Sequence, residues 1–205
     1  MMMRNIKNKI EIIKSIKNKN GGFTLVEALT AIFVLTFVVV GLMTVVADSL
    51  FATKYARDEI TANFLLQEAI DFVRNDRDTR VFLSIDYDIN TAWNNFYTIY
   101  DSAECENTTT GCTLDVHVPS GPNVFSCSND SCRYLYLDET ASSGSFYLTS
   151  NHPSGISGKT RTNFKRTLTV VNQGEDQLLV TAKVNWKNGN LNKSRTLTTT
   201  LSKWQ

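Results

Sequence analysis

Gly21-Gly22-Phe23-Thr24-Leu25-Val26-Glu27 opens directly into residues 28–47, a run without a charged side chain, with Lys19 shortly before it and Asp48 just after it. At about 1.5 Å of rise per residue, a helix over 28–47 measures about 30 Å, the thickness of a bilayer's hydrocarbon core. The run predicts a membrane-spanning helix. Apolar residues precede Glu27 as well as follow it, so its carboxylate falls inside the upper part of that apolar layer. A charge there costs about 2.5 to 3.5 kcal/mol on insertion scales, and ionisable residues kept at such depth usually serve a function.

Residues 1–20 hold Arg4, Lys7, Lys9, Lys14, Lys17 and Lys19 against Glu11 alone. Ile6, Ile10, Ile13 and Ile16 recur at helical spacing, which predicts a basic amphipathic helix on a membrane surface. The positive-inside rule keeps this end in the cytoplasm and sends the rest outward. The whole chain carries a formal +1; without residues 1–22, 15 of its 21 basic and 19 of its 20 acidic residues remain, a balance near -4. The composition thus implies no basic surface overall, and it leaves open whether a local patch binds nucleic acid.

The order of these features, a basic leader, Gly22, Phe23, an apolar pair, Glu27 and an uninterrupted apolar helix, resembles the cleavage and methylation motif of type IV prepilins and type II secretion pseudopilins. The resemblance implies that a prepilin peptidase cuts after Gly22 and that Phe23 becomes an N-methylated amino terminus. It implies as partners other pilin or pseudopilin subunits, the peptidase, an assembly platform in the cytoplasmic membrane, and the lipid bilayer. Cleavage would place an ammonium on Phe23. An isolated carboxylate in an apolar layer protonates or seeks a cation. The amine of an incoming chain meeting Glu27 of a staggered neighbour would supply one, so Glu27 is expected to set register, as a buried polar residue does in coiled coils. A competing reading is a secretory signal peptide cut after Val45-Val46-Ala47. Its apolar core would run to about 20 residues where signal cores have about 7 to 15, with a glutamate at its head.

Beyond the span the helical pattern continues. No proline occurs before Pro119, and Gly41 is the one glycine between Phe23 and Gly111, so a helix is expected from Phe23 to about Asp76. Ala62, Leu65, Leu66, Ala69, Ile70 and Val73 follow the spacing of a buried stripe. A helix of about 50 residues reaches about 75 Å, too long for a small globular core alone. The expected division is a leader over 1–22, a span over 23–47, an amphipathic continuation over 48–78 and an extracytoplasmic β-rich head over 79–205. The fold class expected is α+β: a long N-terminal helix against a small C-terminal antiparallel sheet, the layout similar pilins have.

In the head, 95–100, 113–118, 134–137 and 145–149 read as short strands between clusters of Gly, Ser, Asn and Thr. Cys105, Cys112, Cys127 and Cys132 all fall here, outside the membrane, where an even number favours disulfides. Three connectivities are allowed, and the local pairs Cys105 with Cys112 and Cys127 with Cys132 are expected. Zinc is the alternative, but the spacings lack a C-x-x-C knuckle and neither His117 nor His152 lies at ligand spacing. Asp86, Asp88 and Asn90 alternate like the first ligands of a calcium loop. Thr91 then replaces the required glycine and Tyr97 the bidentate glutamate, so a polar turn is the plainer reading.

The last third alternates clearly. Leu178, Val180, Ala182, Val184 and Trp186 point one way and Leu179, Thr181, Lys183 and Asn185 the other; 164–171 and 195–201 alternate likewise. A three-stranded meander results, with an apolar face able to cover the helix stripe. The ending from Val184-Asn185-Trp186 through 196–201 to Trp204 resembles the tail of minor pilins of the modification type and of one minor pseudopilin, which implies a low-copy subunit.

No P-loop, dinucleotide fingerprint, nucleophile elbow or HExxH occurs, so neither an enzyme nor a cofactor is expected. Two functions follow: a filament subunit, or a single-span or secreted extracytoplasmic binding protein whose apolar segment is an anchor or signal.

Overall fold

The computed structural model describes residues 22–83, 88–116, 124–127, 132, 134–138, 147–149, 159–174 and 176–203. Residues 1–21 of the leader, Asp86, His117, His152, Trp204 and parts of the expected strands over 113–118 and 145–149 lie outside the described residues. The chain forms two compact units, Met1–Thr53 and Lys54–Gln205. Helix α1 (Leu25–Leu83) starts in the first and ends in the second.

In the first unit α1 has no packing partner among the described residues. Every large apolar side chain from Phe23 to Phe51 keeps at least 45% of its surface exposed, the least being Val39. The hydroxyls of Thr30, Thr36 and Thr44 donate to the carbonyls of Glu27, Phe33 and Gly41 at 3.0, 2.9 and 2.8 Å. Each polar side chain in the apolar run is thereby satisfied within the helix, as a segment in hydrocarbon requires.

In the second unit α1 buries Ala62, Leu65, Leu66, Ala69, Ile70 and Val73, the stripe that the spacing predicts. It runs about two turns past Asp76, to Leu83. Its last turns are held by the Arg80–Asp76 ion pair at 2.9 Å and by Arg77 donating to the carbonyl of Ser202 at 3.0 Å.

Helix α2 (Ile89–Ser102) replaces the strand expected over 95–100. Asp88 caps it, and Ala92, Trp93, Phe96 and Tyr100 are buried at three- and four-residue steps. The aromatic-rich run favours strand by composition, but its apolar positions repeat with helical period, and burial follows the period. After α2 the chain turns tightly at Gly111, whose φ is +63° and where an added Cβ would meet the carbonyl oxygen of Leu168 at 2.7 Å. Only glycine fits that approach.

The sheet comprises β1 (Cys112–Leu114), β2 (Val124–Ser126), β3 (Tyr134–Asp138), β4 (Tyr147–Thr149), β5 (Lys159–Asn172), β6 (Gln177–Asn188) and β7 (Leu191–Ser202). All described pairings are antiparallel. Strand β5 organises it: one edge pairs with β3 near its start and with β1 at Leu168, the other with β6, and β7 completes the meander. The meander expected over 164–201 is therefore present within a larger sheet; β2, too short for alternation to show, was not expected. Leu178, Val180, Ala182, Val184 and Trp186 of β6 face the stripe of α1 and the aromatics of α2 in one core. Disulfides join Cys105 to Cys112 and Cys127 to Cys132, and no described cysteine is free. These facts establish the α+β layout, a long helix with a C-terminal antiparallel sheet.

One charged residue stands in the core row. Along β5, Phe164, Arg166, Leu168 and Val170 are buried at alternate positions, and Arg166 is fully enclosed. Its guanidinium donates to the carbonyls of Leu65 at 3.2 Å and Leu114 at 3.0 Å and to the carboxylate of Glu68. Both terminal nitrogens thus find acceptors, while the buried Nε has none among the described residues; a buried cation is tolerable when its charge is paired and most of its donors are met.

Candidate functional site

The amino-terminal motif begins in open chain. Gly22 is exposed, and a Cβ placed on it would meet no atom within 4 Å. Phe23 is 81% exposed, so its ring and the peptide bond between it and Gly22 are accessible to another protein. Among the described residues nothing demands a small side chain at position 22.

Thr24 is where the helix starts. Its hydroxyl accepts from the backbone N–H of Glu27 at 3.2 Å, and its carbonyl accepts from the N–H of Ala28 at 3.1 Å. Thr24-Leu25-Val26-Glu27 therefore has the spacing of a capping box, in which a Ser or Thr cap is followed three residues later by Glu or Gln. Thr24 and Glu27 thus carry a second meaning beside the motif, and the S/T-x-x-E pattern is its signal in the sequence. A carboxylate in the first turn also meets the positive end of the helix dipole. Glu27 is exposed, as are its neighbours on every side of α1 in this unit. The helix is long and apolar enough to cross a membrane.

The other candidate residues do not join this motif. Asp88 serves as the cap of α2: one carboxylate oxygen accepts from the N–H of Asn90 at 3.0 Å, the other from the hydroxyl of Thr91 at 2.5 Å. These bonds, the hydroxyl's first, hold its carboxyl below the usual range. The polar turn expected there is thus the start of a helix. Among the described residues no three or more His, Cys, Asp or Glu side chains converge as metal ligands. The four cysteines are spent in disulfides within the second unit.

Two electrostatic features of the second unit went unread in the sequence. Glu59 of α1 and Arg195 of β7 form an ion pair that lowers the carboxyl of Glu59 and raises the guanidinium, chiefly through their hydrogen bonds. The phenol of Tyr100, fully buried, donates to Asp76 at 3.2 Å, and burial, then the Asp76 charge, pushes it well above its ordinary value. Both join residues far apart in the chain, which no local pattern announces.

No curated protein and no solved structure matches the chain. Residues 17–43 match the prokaryotic N-terminal methylation motif, and that match spans Gly22, Phe23, the cap at Thr24, Glu27 and most of the apolar run. The chain thus carries a prepilin-type amino terminus, consistent with a type IV pilin or pseudopilin.

Proposed function

We propose that this protein is a structural subunit, a minor pilin or pseudopilin, of a type IV pilus or type II secretion-like filament, and not an enzyme. The observation that carries the reading is the coincidence of the methylation motif with a helix whose apolar surface, from Phe23 to Phe51, has no partner among the described residues. A surface of that kind belongs in lipid or against other subunits. In the proposed sequence of events the precursor sits in the cytoplasmic membrane with residues 54–205 outside. A prepilin peptidase cuts after Gly22, Phe23 is N-methylated, and an assembly platform lifts the chain into a helical bundle. Outside lipid, apolar area buried between helices stabilises the bundle by about 25 cal/mol per Å². The new ammonium of one chain meets Glu27 of its neighbour and fixes the stagger.

The low copy number implied by the tail from Val184 onward belongs to the same proposal. The test is the content of sheared filaments from cells expressing the protein with its own assembly system. The wild-type chain is expected in that fraction, and Glu27→Ala is expected to insert in the membrane normally but to be depleted from it. Normal levels of Glu27→Ala in sheared filaments would show that Glu27 does not set register.

A further inference from the structure

The sheet face turned away from the core carries a charge pattern to which the proposed function assigns no role. Because Val184 and Trp186 point inward, Lys183, Asn185 and Lys187 of β6 point outward, as do Arg161, Lys165, Thr167 and Thr169 of β5. Register places Lys165 opposite Asn185 and Lys183 opposite Thr167. Lys183 and Lys187 are about 13 Å apart along their strand, with Lys165 on the neighbouring strand between their levels. Among the described residues none of these three lysines has a carboxylate partner.

The same face is concave. A cavity of about 570 Å³ is lined by these lysines and Lys193, by Tyr134 and Trp186, and by threonine, asparagine and serine residues, and among its described lining residues there is no carboxylate. Both disulfides help to wall it, through Thr108, Thr109 and Thr110 inside the Cys105–Cys112 loop and through Cys132. This patch stands out against a mature chain that is acidic overall.

We propose that this cavity binds an acidic polysaccharide, a polymer whose sugars carry carboxylates or sulfates. Charge complementarity requires an anionic ligand. The spacing selects among anions. The cations are few and separated by hydroxyl and amide groups, which fits a chain with sparse charges and abundant hydroxyls between them. Duplex DNA presents a charge about every 1.7 Å of its axis and rewards dense rows of Lys and Arg. Single-stranded nucleic acid is gripped by open aromatic platforms. Of the two aromatic residues lining this site, Trp186 is buried, and Tyr134 has Arg161 4.2 Å and Lys165 4.6 Å from its ring centroid. Those contacts hold the two cations at the rim of the groove.

The test uses the full-length protein in detergent micelles, with labelled alginate as the uronate polymer, neutral dextran as control and single-stranded DNA as competitor, at low salt. Alginate is expected to bind, dextran not, and added salt to weaken the complex. K165Q/K183Q/K187Q is expected to lower affinity about tenfold, each exposed charge contributing a small share. Asn185→Asp, nearly isosteric and so safe for folding, places a carboxylate among the lysines and is expected to weaken binding as well, whereas Lys54→Gln on α1 should not. Failure of alginate to bind, unchanged affinity in both the triple variant and Asn185→Asp, or tighter binding of DNA than of alginate would each overturn the proposal.

Discussion

Glu27 stands both in the amino-terminal motif and in the first turn of α1, whereas Gly22 stands in the motif alone. Because Gly22 touches nothing, Gly22→Ala is expected to leave the helix and head unchanged while processing is retained or slowed, and Gly22→Lys to leave the fold intact while blocking cleavage. Immunoblots of precursor and mature forms, with circular dichroism of each variant, check both halves. Glu27 is separable in the same way. A capping box accepts Gln in place of Glu, so Glu27→Gln keeps the start of α1 but loses the charge. If charge pairing sets register, Glu27→Gln is depleted from filaments as strongly as Glu27→Ala; if Glu27 only supports the cap, Glu27→Gln assembles like wild type.

Between elements, Arg166 is the residue that ties α1, β1 and β5 together, through Leu65, Glu68 and Leu114. Its two partners in the ion pair are unequally exposed: the Arg166 side chain is enclosed and that of Glu68 is 33% exposed. Removing Glu68 leaves a cation in the core without its main counter-charge, at a cost of about 3 kcal/mol or more, whereas removing Arg166 leaves a carboxylate that water can still reach. Urea unfolding followed by tryptophan fluorescence should therefore find Glu68→Ala clearly less stable than Arg166→Met. The reverse order would show that the guanidinium is held by the two carbonyls alone. Phe96→Ala, which empties a fully buried ring position in α2, is expected to cost about 3 to 5 kcal/mol in the same assay.

Legibility in the sequence followed the range of the forces involved. The stripe of α1 and the alternation of β6 are local periodicities, and both are found where the residues place them. Helix α2 was hidden because Phe96, Tyr97, Ile99 and Tyr100 are strand-favouring residues whose helical period shows only when Ala92 and Trp93 are counted with them. Arg166 sits on the inward parity of an otherwise readable strand, so its position was legible, but its acceptors lie 52 to 101 residues away. The amino-terminal motif is legible from its order alone, and the cap at Thr24 lies in the same residues, where the motif's first meaning hides it.

For the molecule as a whole, the two units differ in what covers their apolar residues. Most of the described large apolar residues of the second unit lie in a core closed by helix, sheet and two disulfides, with Ile60, Phe64, Phe82, Leu83, Leu191 and Leu197 left exposed, whereas residues 22–53 leave all of theirs open. The stability of the head should depend on pH in two windows. Tyr100 has a raised value in the folded state, so its contribution is complete below its ordinary value of about 10 and is lost as pH climbs above it. Glu59 and Asp88 are lowered, so theirs is complete above the ordinary carboxylate range and is lost as pH falls below it. Urea midpoints should therefore drop at both ends, and Tyr100→Phe should flatten the alkaline side alone.

The open surface of residues 22–53 gives the central claim its most direct measurement, the mass of the mature amino terminus in protein made with its own membrane machinery. The prepilin reading predicts a chain that starts at Phe23 and is heavier by one methyl group, keeping the apolar helix for assembly. A chain that starts at Asp48 would mean that the apolar run is a discarded signal, and the filament reading would be contradicted with it.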